Sequence, residues 1–197
     1  GPNGAIVVTG LTDGRIGQGD WTNGFPLVLR VQPDGSIVDT TVYRDIRYGS
    51  ALDAAPLDDG LAVLVERQNY DRTGVEPKAL TLYRTSPDGT RRDTLYRPDS
   101  TFAGENPLHR TADGGFLLVV GRTEENDVDL IKLERSGRVD WTYRMPGVQF
   151  VSAVAEAANG GVFVAGQKTS RQFALVRLTP SGDAQWRRTY GSDRSDA

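Results

Sequence analysis

Short apolar runs bounded by glycine, proline and acidic residues recur along the whole chain. Each run is only a few residues long and rich in Val, Ile, Leu and Phe, which favours β-strands over helices. Some runs, such as residues 80–83, alternate apolar with polar side chains, as a half-buried pleated surface requires. No segment has a sustained period of 3.6 residues. The pattern therefore predicts an all-β protein with almost no helix.

The strand pattern repeats, and the repeat is clearest where residues 113–145 are laid over residues 159–190. The distance from Gly121 to Gly137 equals that from Gly166 to Gly182, at 16 residues each. Weaker copies lie upstream, and each has a glycine-led strand, a second strand, a turn ending in glycine and a third strand. A fourth strand is expected before each glycine pair, at residues 51–57, 107–111 and 151–157. Residues 153–157 have high helix propensity, but their counterparts contain prolines, so a strand is predicted there too.

Four short antiparallel strands in a repeat of about 45–55 residues are typical of a β-propeller blade. The sequence predicts four blades, at about residues 3–50, 51–104, 105–149 and 150–197, with one strand missing. Residues 1–197 would then be a single propeller domain or part of one. Two interpretations stay open: a segment of a longer array, or a complete protein that is a four-bladed ring or a half-ring pairing with another copy.

The strings at residues 133–141 and 178–186 resemble the quinoprotein (PQQ-like) propeller repeat. That resemblance implies that Gly137 and Gly182 form turns, and that Trp141 and Trp186, four residues later, dock between blades. Residues 159–178 also resemble the delta-60 type of bacterial propeller repeat. Asp39 and Asp93 stand at the tryptophan position in the first two copies. No cofactor-binding or catalytic set of the quinoprotein enzymes can be carried over, because no motif residues match one.

Composition narrows the class of partner. The formal net charge is −3 and the basic residues are scattered, which argues against a nucleic-acid surface. No apolar stretch reaches the roughly 18 residues of a membrane span. The chain has no cysteine, so disulfides and thiolate metal sites are excluded. We expect an extracytoplasmic location: periplasmic, cell-surface or secreted.

Candidate chemical residues are few. His109 is the only histidine, and a structural role is favoured over a catalytic one. The acidic segment around residues 124–129 offers weak Ca²⁺ ligands in Glu124, Asp127 and Asp129, although it lacks the ligand order of an EF-hand. No other cofactor is expected.

The first two copies carry insertions, at about residues 13–24 and 69–78, and these are the predicted binding loops. The first is rich in glycine and polar residues, and such loops often carry function. The candidate binding residues in the two insertions are Asp20, Trp21, Asn23, Tyr70 and Arg72. The competing interpretation is a pair of loops that pack only on themselves.

The sequence favours a non-enzymatic propeller that serves as a binding or scaffold module of a secreted or surface bacterial protein. Its partner would be a protein, a glycan or a second propeller half. The alternative is a propeller hydrolase or lyase with a carboxylate-lined central channel. A purely architectural role in a larger assembly is a third possibility, because fold alone does not decide function.

Overall fold

The computed structural model describes residues 5–12, 24–46, 48–67, 70–71, 74–75, 79–98, 102–122, 127–169 and 171–191. These ranges contain seventeen β-strands and no helix, and every strand pairing is antiparallel. The chain divides into two compact units, unit 1 (Gly1–Asp99) and unit 2 (Ser100–Ala197). Each unit contains two main sheets.

Unit 1 begins with a three-stranded sheet, the first sheet, in the order β1-β2-β3. The second sheet has the order β4-β5-β8-β9, and a two-stranded hairpin, β6-β7, lies between its middle strands in sequence. The strands are β1 (Ile6–Thr12), β2 (Phe25–Val31), β3 (Ile37–Val42), β4 (Gly49–Leu57), β5 (Gly60–Arg67), β6 (Tyr70–Asp71), β7 (Gly74–Val75), β8 (Ala79–Thr85) and β9 (Arg92–Tyr96).

Unit 2 contains two four-stranded sheets. The third sheet has the order β10-β11-β12-β13, and the fourth has the order β14-β15-β16-β17. The strands are β10 (Phe102–Arg110), β11 (Phe116–Arg122), β12 (Asp127–Leu133), β13 (Val139–Met145), β14 (Phe150–Glu156), β15 (Val162–Thr169), β16 (Gln172–Leu178) and β17 (Ala184–Gly191).

The strand predictions are confirmed, including the strands expected before each glycine pair. These are β4, β10 and β14, and the helix-prone stretch in β14 pairs with β15 along its length. The chain is all-β, with four consecutive blade-like antiparallel sheets. The first sheet, with three strands, is the incomplete one.

Each unit encloses a hydrophobic core between its two sheets. In unit 1 the core joins Val28 of the first sheet to Leu61, Val63 and Val65 of the second. In unit 2 it joins Leu117, Val119 and Leu130 of the third sheet to the fourth, through the residues Val162, Val164, Ala174, Val176 and Leu178. The apolar side chains at alternate strand positions therefore face the neighbouring sheet, as the period of two requires.

A β-bulge recurs next to the hairpin turn in the first, third and fourth sheets. In each, the last strand has one extra residue, which is Val38, Asp140 or Gln185. A bulge of this kind bends its strand and redirects a side chain. It matters below because Asp140 belongs to the candidate site.

Candidate functional site

One cross-strand position is equivalent in all four sheets, and within each unit it contributes to the docking of one sheet on the next. It pairs a basic residue on the strand before the turn with a residue four positions after the turn glycine. The pairs are Arg30–Asp39, Arg84–Asp93, Lys132–Trp141 and Arg177–Trp186. Asp39 and Asp93 thus stand at the tryptophan position in the strand register as well as in the sequence spacing.

In unit 2, Trp141 of the third sheet docks on the turn of the fourth. Its Nε1 donates a hydrogen bond of 2.9 Å to the carbonyl oxygen of Pro180. Its half-buried ring covers Gly182 so closely that a Cβ there would lie 2.6 Å from the indole. Gly182 also has a φ of +86°, which L residues with a side chain rarely adopt. The glycine therefore provides both the turn and the space for the indole.

In unit 1, an ion pair takes the place of the indole. The Arg30 guanidinium bonds Asp39 Oδ2 at 3.0 Å and also donates to the carbonyl oxygen of Pro87 in the second sheet. Pro87 occupies the same turn position as Pro180, two residues before the turn glycine. Thr41 lies over Gly89, as the Trp141 ring lies over Gly182. The same turn is thus recognised by a hydrogen bond to its proline carbonyl and a side chain over its glycine.

The basic members of these pairs were not identified from the sequence, although a signal was available. Arg30, Arg84, Lys132 and Arg177 each lie five residues before a turn glycine. Arg84 forms an ion pair with Asp59, and Lys132 forms one with Asp113 at 2.7 Å. Both acids lie in the turn that opens the glycine-led strand, so in these two sheets the basic residue ties one turn to the middle of the sheet.

Lys132 is buried, and its ammonium group is fully occupied by hydrogen bonding. It donates to both carboxylate oxygens of Asp113 at 2.9 and 2.7 Å, and to Thr111 Oγ1 at 3.0 Å. Burial opposes ionisation of Asp113, but hydrogen bonds from Lys132, Thr111 and the Gly115 N–H outweigh it and lower its pKa to about 2. At neutral pH this site holds a fixed carboxylate beside a fixed ammonium.

A cavity of about 370 Å³ opens beside this ion pair, between the turns of the third and fourth sheets. We call it the carboxylate pocket. Its lining residues are Ala112, Asp113, Lys132, Asp140, Glu156, Ala157, Ala158, Gly160 and Pro180. Asp140 is the bulge residue of β13, and Glu156 Oε2 accepts a hydrogen bond of 2.7 Å from the Ala112 N–H. The pocket thus combines three carboxylates with one ammonium that is already neutralised by Asp113.

In unit 1, the place that corresponds to the Trp141–Gly182 contact is closed. Val28, Arg30, Asp39, Thr41, Tyr43 and the 86–89 turn surround it, and no space for a water-sized sphere remains. The side chains of Arg30 and Thr41 reach across to the turn there. Arg30 and Thr41 therefore take up, in unit 1, the space that the indole fills in unit 2.

Two of the three weak calcium candidates have protein partners in the structure. Asp127 Oδ1 accepts a hydrogen bond of 2.7 Å from the Gly147 N–H, and the largely buried Asp129 pairs with Arg144 at 3.3 Å. Glu124 lies outside the described residues. Within the described ranges, no three His, Asp or Glu side chains are grouped so that they could hold a metal ion.

The predicted binding loops are largely outside the structural description. Asp20, Trp21, Asn23 and Arg72 lie outside the described residues, and Tyr70 belongs to β6 with its side chain undescribed. Their binding role stays a prediction.

His109 lies on β10, opposite Leu117. Its Nε2 is buried and has no hydrogen-bond partner in the described part of the chain, so no carboxylate relay reaches that nitrogen.

Gly137 and Trp186 are the other two residues to which the repeat resemblance gives a structural role. Gly137 has a φ of +88° in the turn before β13, and its N–H bonds the Glu134 carbonyl at 2.9 Å. Trp186 lies on β17, with its ring 6.1 Å from that of Phe163 and under the Arg188 guanidinium. Among the described residues, no turn covers Trp186 and no acceptor bonds its indole N–H.

Comparison with known proteins identifies no family for the chain. No protein-family model and no curated protein matches the chain. A solved structure, a protein of unknown function from Bacteroides caccae, is similar over 86% of this chain and 78% of its own, with 14% sequence identity and a TM-score of 0.36. The described residues form no helix with the length and hydrophobicity needed to cross a membrane.

Proposed function

We propose that this chain is a non-enzymatic β-propeller module that binds a protein or glycan partner and acts as a scaffold in a secreted or surface bacterial protein. The observation that carries the proposal is the carboxylate pocket of unit 2. The repeated positions connect one sheet to the next, whereas the carboxylate pocket is an opening in unit 2 with polar groups facing solvent.

The chemistry of the pocket favours a ligand rich in hydrogen-bond donors. Ionised carboxylates only accept hydrogen bonds, so Asp140 and Glu156 suit sugar hydroxyls or the basic side chains of a protein partner. Lys132 does not offset them, because Asp113 already neutralises its charge. A general acid in a glycosidase needs a carboxyl group with a raised pKa, and Asp113 has its pKa lowered instead.

The proposal is tested with the fluorescently labelled chain on an array of defined oligosaccharides and basic peptides. Saturable binding to one of the two classes is expected. The double variant Asp140→Asn/Glu156→Gln should weaken it roughly 10- to 100-fold, because two charge-assisted hydrogen bonds are lost.

The matched control is Glu134→Gln. Glu134 is a partly exposed carboxylate of the same sheet that pairs with Arg138 and does not line the pocket. Binding equal to wild type is expected for this control. The proposal fails if the double variant binds as well as the control, or if the wild type cleaves the oligosaccharides it binds.

A further inference from the structure

The docking surface of the third sheet has an exposed equivalent on the fourth sheet. On the third sheet, Leu117, Lys132 and Trp141 lie in one cross-strand row and face the fourth sheet. On the fourth sheet, the register gives the corresponding row as Phe163, Arg177 and Trp186. This row belongs to what we call the donor face, which consists of Phe163, Phe173, Leu175, Arg177, Trp186, Arg188 and Tyr190.

The donor face is rich in aromatic side chains and is partly exposed to solvent. Phe173 is 56% exposed and Tyr190 is 46% exposed, although both are large hydrophobic residues. The Arg177 guanidinium lies over the Phe163 ring at 5.3 Å, and that of Arg188 lies over Trp186 at 5.4 Å. These stacking contacts hold the aromatic rings in place without covering the face.

The surface that receives Trp141 also has an exposed equivalent, on the first sheet. The fourth sheet receives the third through Val162, Val164 and Leu178, which are at most 2% exposed. The corresponding first-sheet residues, by strand register, are Ile6, Val8 and Val31. Ile6 is 57% exposed and Val8 is 44% exposed. Together with Leu29 and the turn at residues 33–35, they form what we call the acceptor face.

The turn of the acceptor face is equivalent to the turn that Trp141 recognises. Pro33 and Gly35 stand where Pro180 and Gly182 stand, and Gly35 has a φ of +85°. A Cβ on Gly35 would meet no atom within 4 Å, whereas one on Gly182 would strike the indole. The first sheet therefore has the kind of turn that Trp141 contacts, and no described side chain covers its glycine. The exposed Asp34 beside it complements the two arginines of the donor face.

We infer that two copies of this chain associate head to tail, with the donor face of one copy on the acceptor face of the other. Trp186 covers Gly35 of the second copy and donates its indole N–H to the Pro33 carbonyl, as Trp141 does to Pro180. The unit 2 interface supplies the template, since the same residue types in the same register already form a buried contact there. The contact is heterologous, so it uses two different surfaces of each copy.

The inference deepens the scaffold part of the proposed function, and its test needs no ligand. The mass of the 197-residue chain is measured by light scattering after size exclusion over a concentration series. Mass should rise above that of the monomer with concentration. Trp186→Ala and Ile6→Arg should each weaken association by roughly 30-fold or more, as removal of a buried interface anchor does. Val139→Arg is the matched control, because Val139 is 38% exposed and lies on neither face.

Mixing the two defective variants is the decisive step. Each variant has one intact face, so an equimolar mixture should form a dimer with one copy of each, while either variant alone stays monomeric. The pair Phe173→Asp and Val8→Asp repeats the test at different positions, so that misfolding of one variant does not decide it. A wild type that is monomeric at every concentration overturns the inference, as does association that survives either change or a mixture that fails to dimerise.

Discussion

The two units dock their sheets on the same kind of turn with different side chains. In unit 2 one large aromatic residue, Trp141, both donates to the proline carbonyl and covers the glycine. In unit 1 these tasks are divided between Arg30 and Thr41, with Asp39 holding the arginine. The comparison shows that the repeat preserves a contact rather than a residue. It also explains how the first copy can lack the tryptophan while its sheet still docks on the second.

The indole contact of unit 2 and the ion pair of unit 1 should differ most in how much they add to the free energy of unfolding. Trp141→Ala removes an aromatic side chain packed on the core of unit 2, for which a loss of about 2–4 kcal/mol in unfolding free energy is expected. Asp39→Ala removes one partner of an ion pair whose side chains are each 32% exposed, and should cost less than about 1 kcal/mol. Urea unfolding of both variants checks this. Equal losses would show that the indole and the ion pair contribute alike.

Alanine substitutions at two turn glycines can separate the energy of the indole contact from the energy of the turn conformation. Gly182 and Gly35 have nearly the same φ, at +86° and +85°, so alanine brings the same backbone strain of about 1 kcal/mol at both. At Gly182 the new Cβ also meets the Trp141 ring at 2.6 Å, whereas Gly35 is open. Gly182→Ala should therefore cost about 1–2 kcal/mol more than Gly35→Ala.

That difference should be measured by thermal unfolding at concentrations where the chain is monomeric. In a Trp141→Ala background the two alanine substitutions should cost the same, because the clash partner is gone. A difference that persists in this background would contradict the role given to the indole.

The smallest expected effect concerns the Lys132–Asp113 pair of unit 2. The pKa of Asp113 is about 2 in the folded chain, below the value of about 3.9 for an unfolded aspartate. A lowered pKa stabilises the fold above pH 4, and this contribution is lost as the pH falls from about 4 to about 2.

Asp113→Asn is the matched change, because Asn159 fills the corresponding turn position of the fourth sheet and accepts the same backbone hydrogen bond, from Gly161. The stability gap between wild type and this variant should be largest near neutral pH and shrink as the pH falls from 4 to 2. Thermal unfolding as a function of pH tests this. A gap that stays constant over this range would mean that the charge of Asp113 contributes nothing.

Much of the fold could be predicted from the sequence, because strands and turns depend on local patterns. The strands before each glycine pair and the turns at Gly137 and Gly182 lie where the spacing placed them. The glycine that ends the first strand of each repeat is an exception, because it differs in strand register between the third and fourth sheets. Gly121 pairs with Val128, whereas Gly166 pairs with Ala174, and the register makes Gln167 the counterpart of Gly121. A one-residue difference in strand connection is invisible when landmarks are counted along the chain.

The candidate site was harder to predict, because it depends on contacts between residues far apart in sequence. Asp140 is apparent only as a bulge residue, and Glu156 reaches the pocket through the Ala112 N–H, 44 residues away. Residue type could not predict that Arg30 makes the hydrogen bond that the Trp141 indole makes in unit 2, because arginine and tryptophan differ in hydrophobicity. The spacing of basic residues before each turn glycine would have indicated the position, though not its contact with the next sheet.

The order of strands within each sheet has a consequence for how the chain acquires its structure. In every main sheet the strands lie side by side in the order in which they follow one another along the chain, interrupted only by the small β6-β7 hairpin. Each pairing therefore closes a short loop, and the mean sequence separation of contacts within a sheet is low for an all-β protein. Low contact order is associated with rapid folding, since little chain entropy is lost before each pairing forms. These short separations favour early pairing of strands within a sheet, whereas the contacts of Trp141 and Arg30 join residues that are 39 and 57 positions apart.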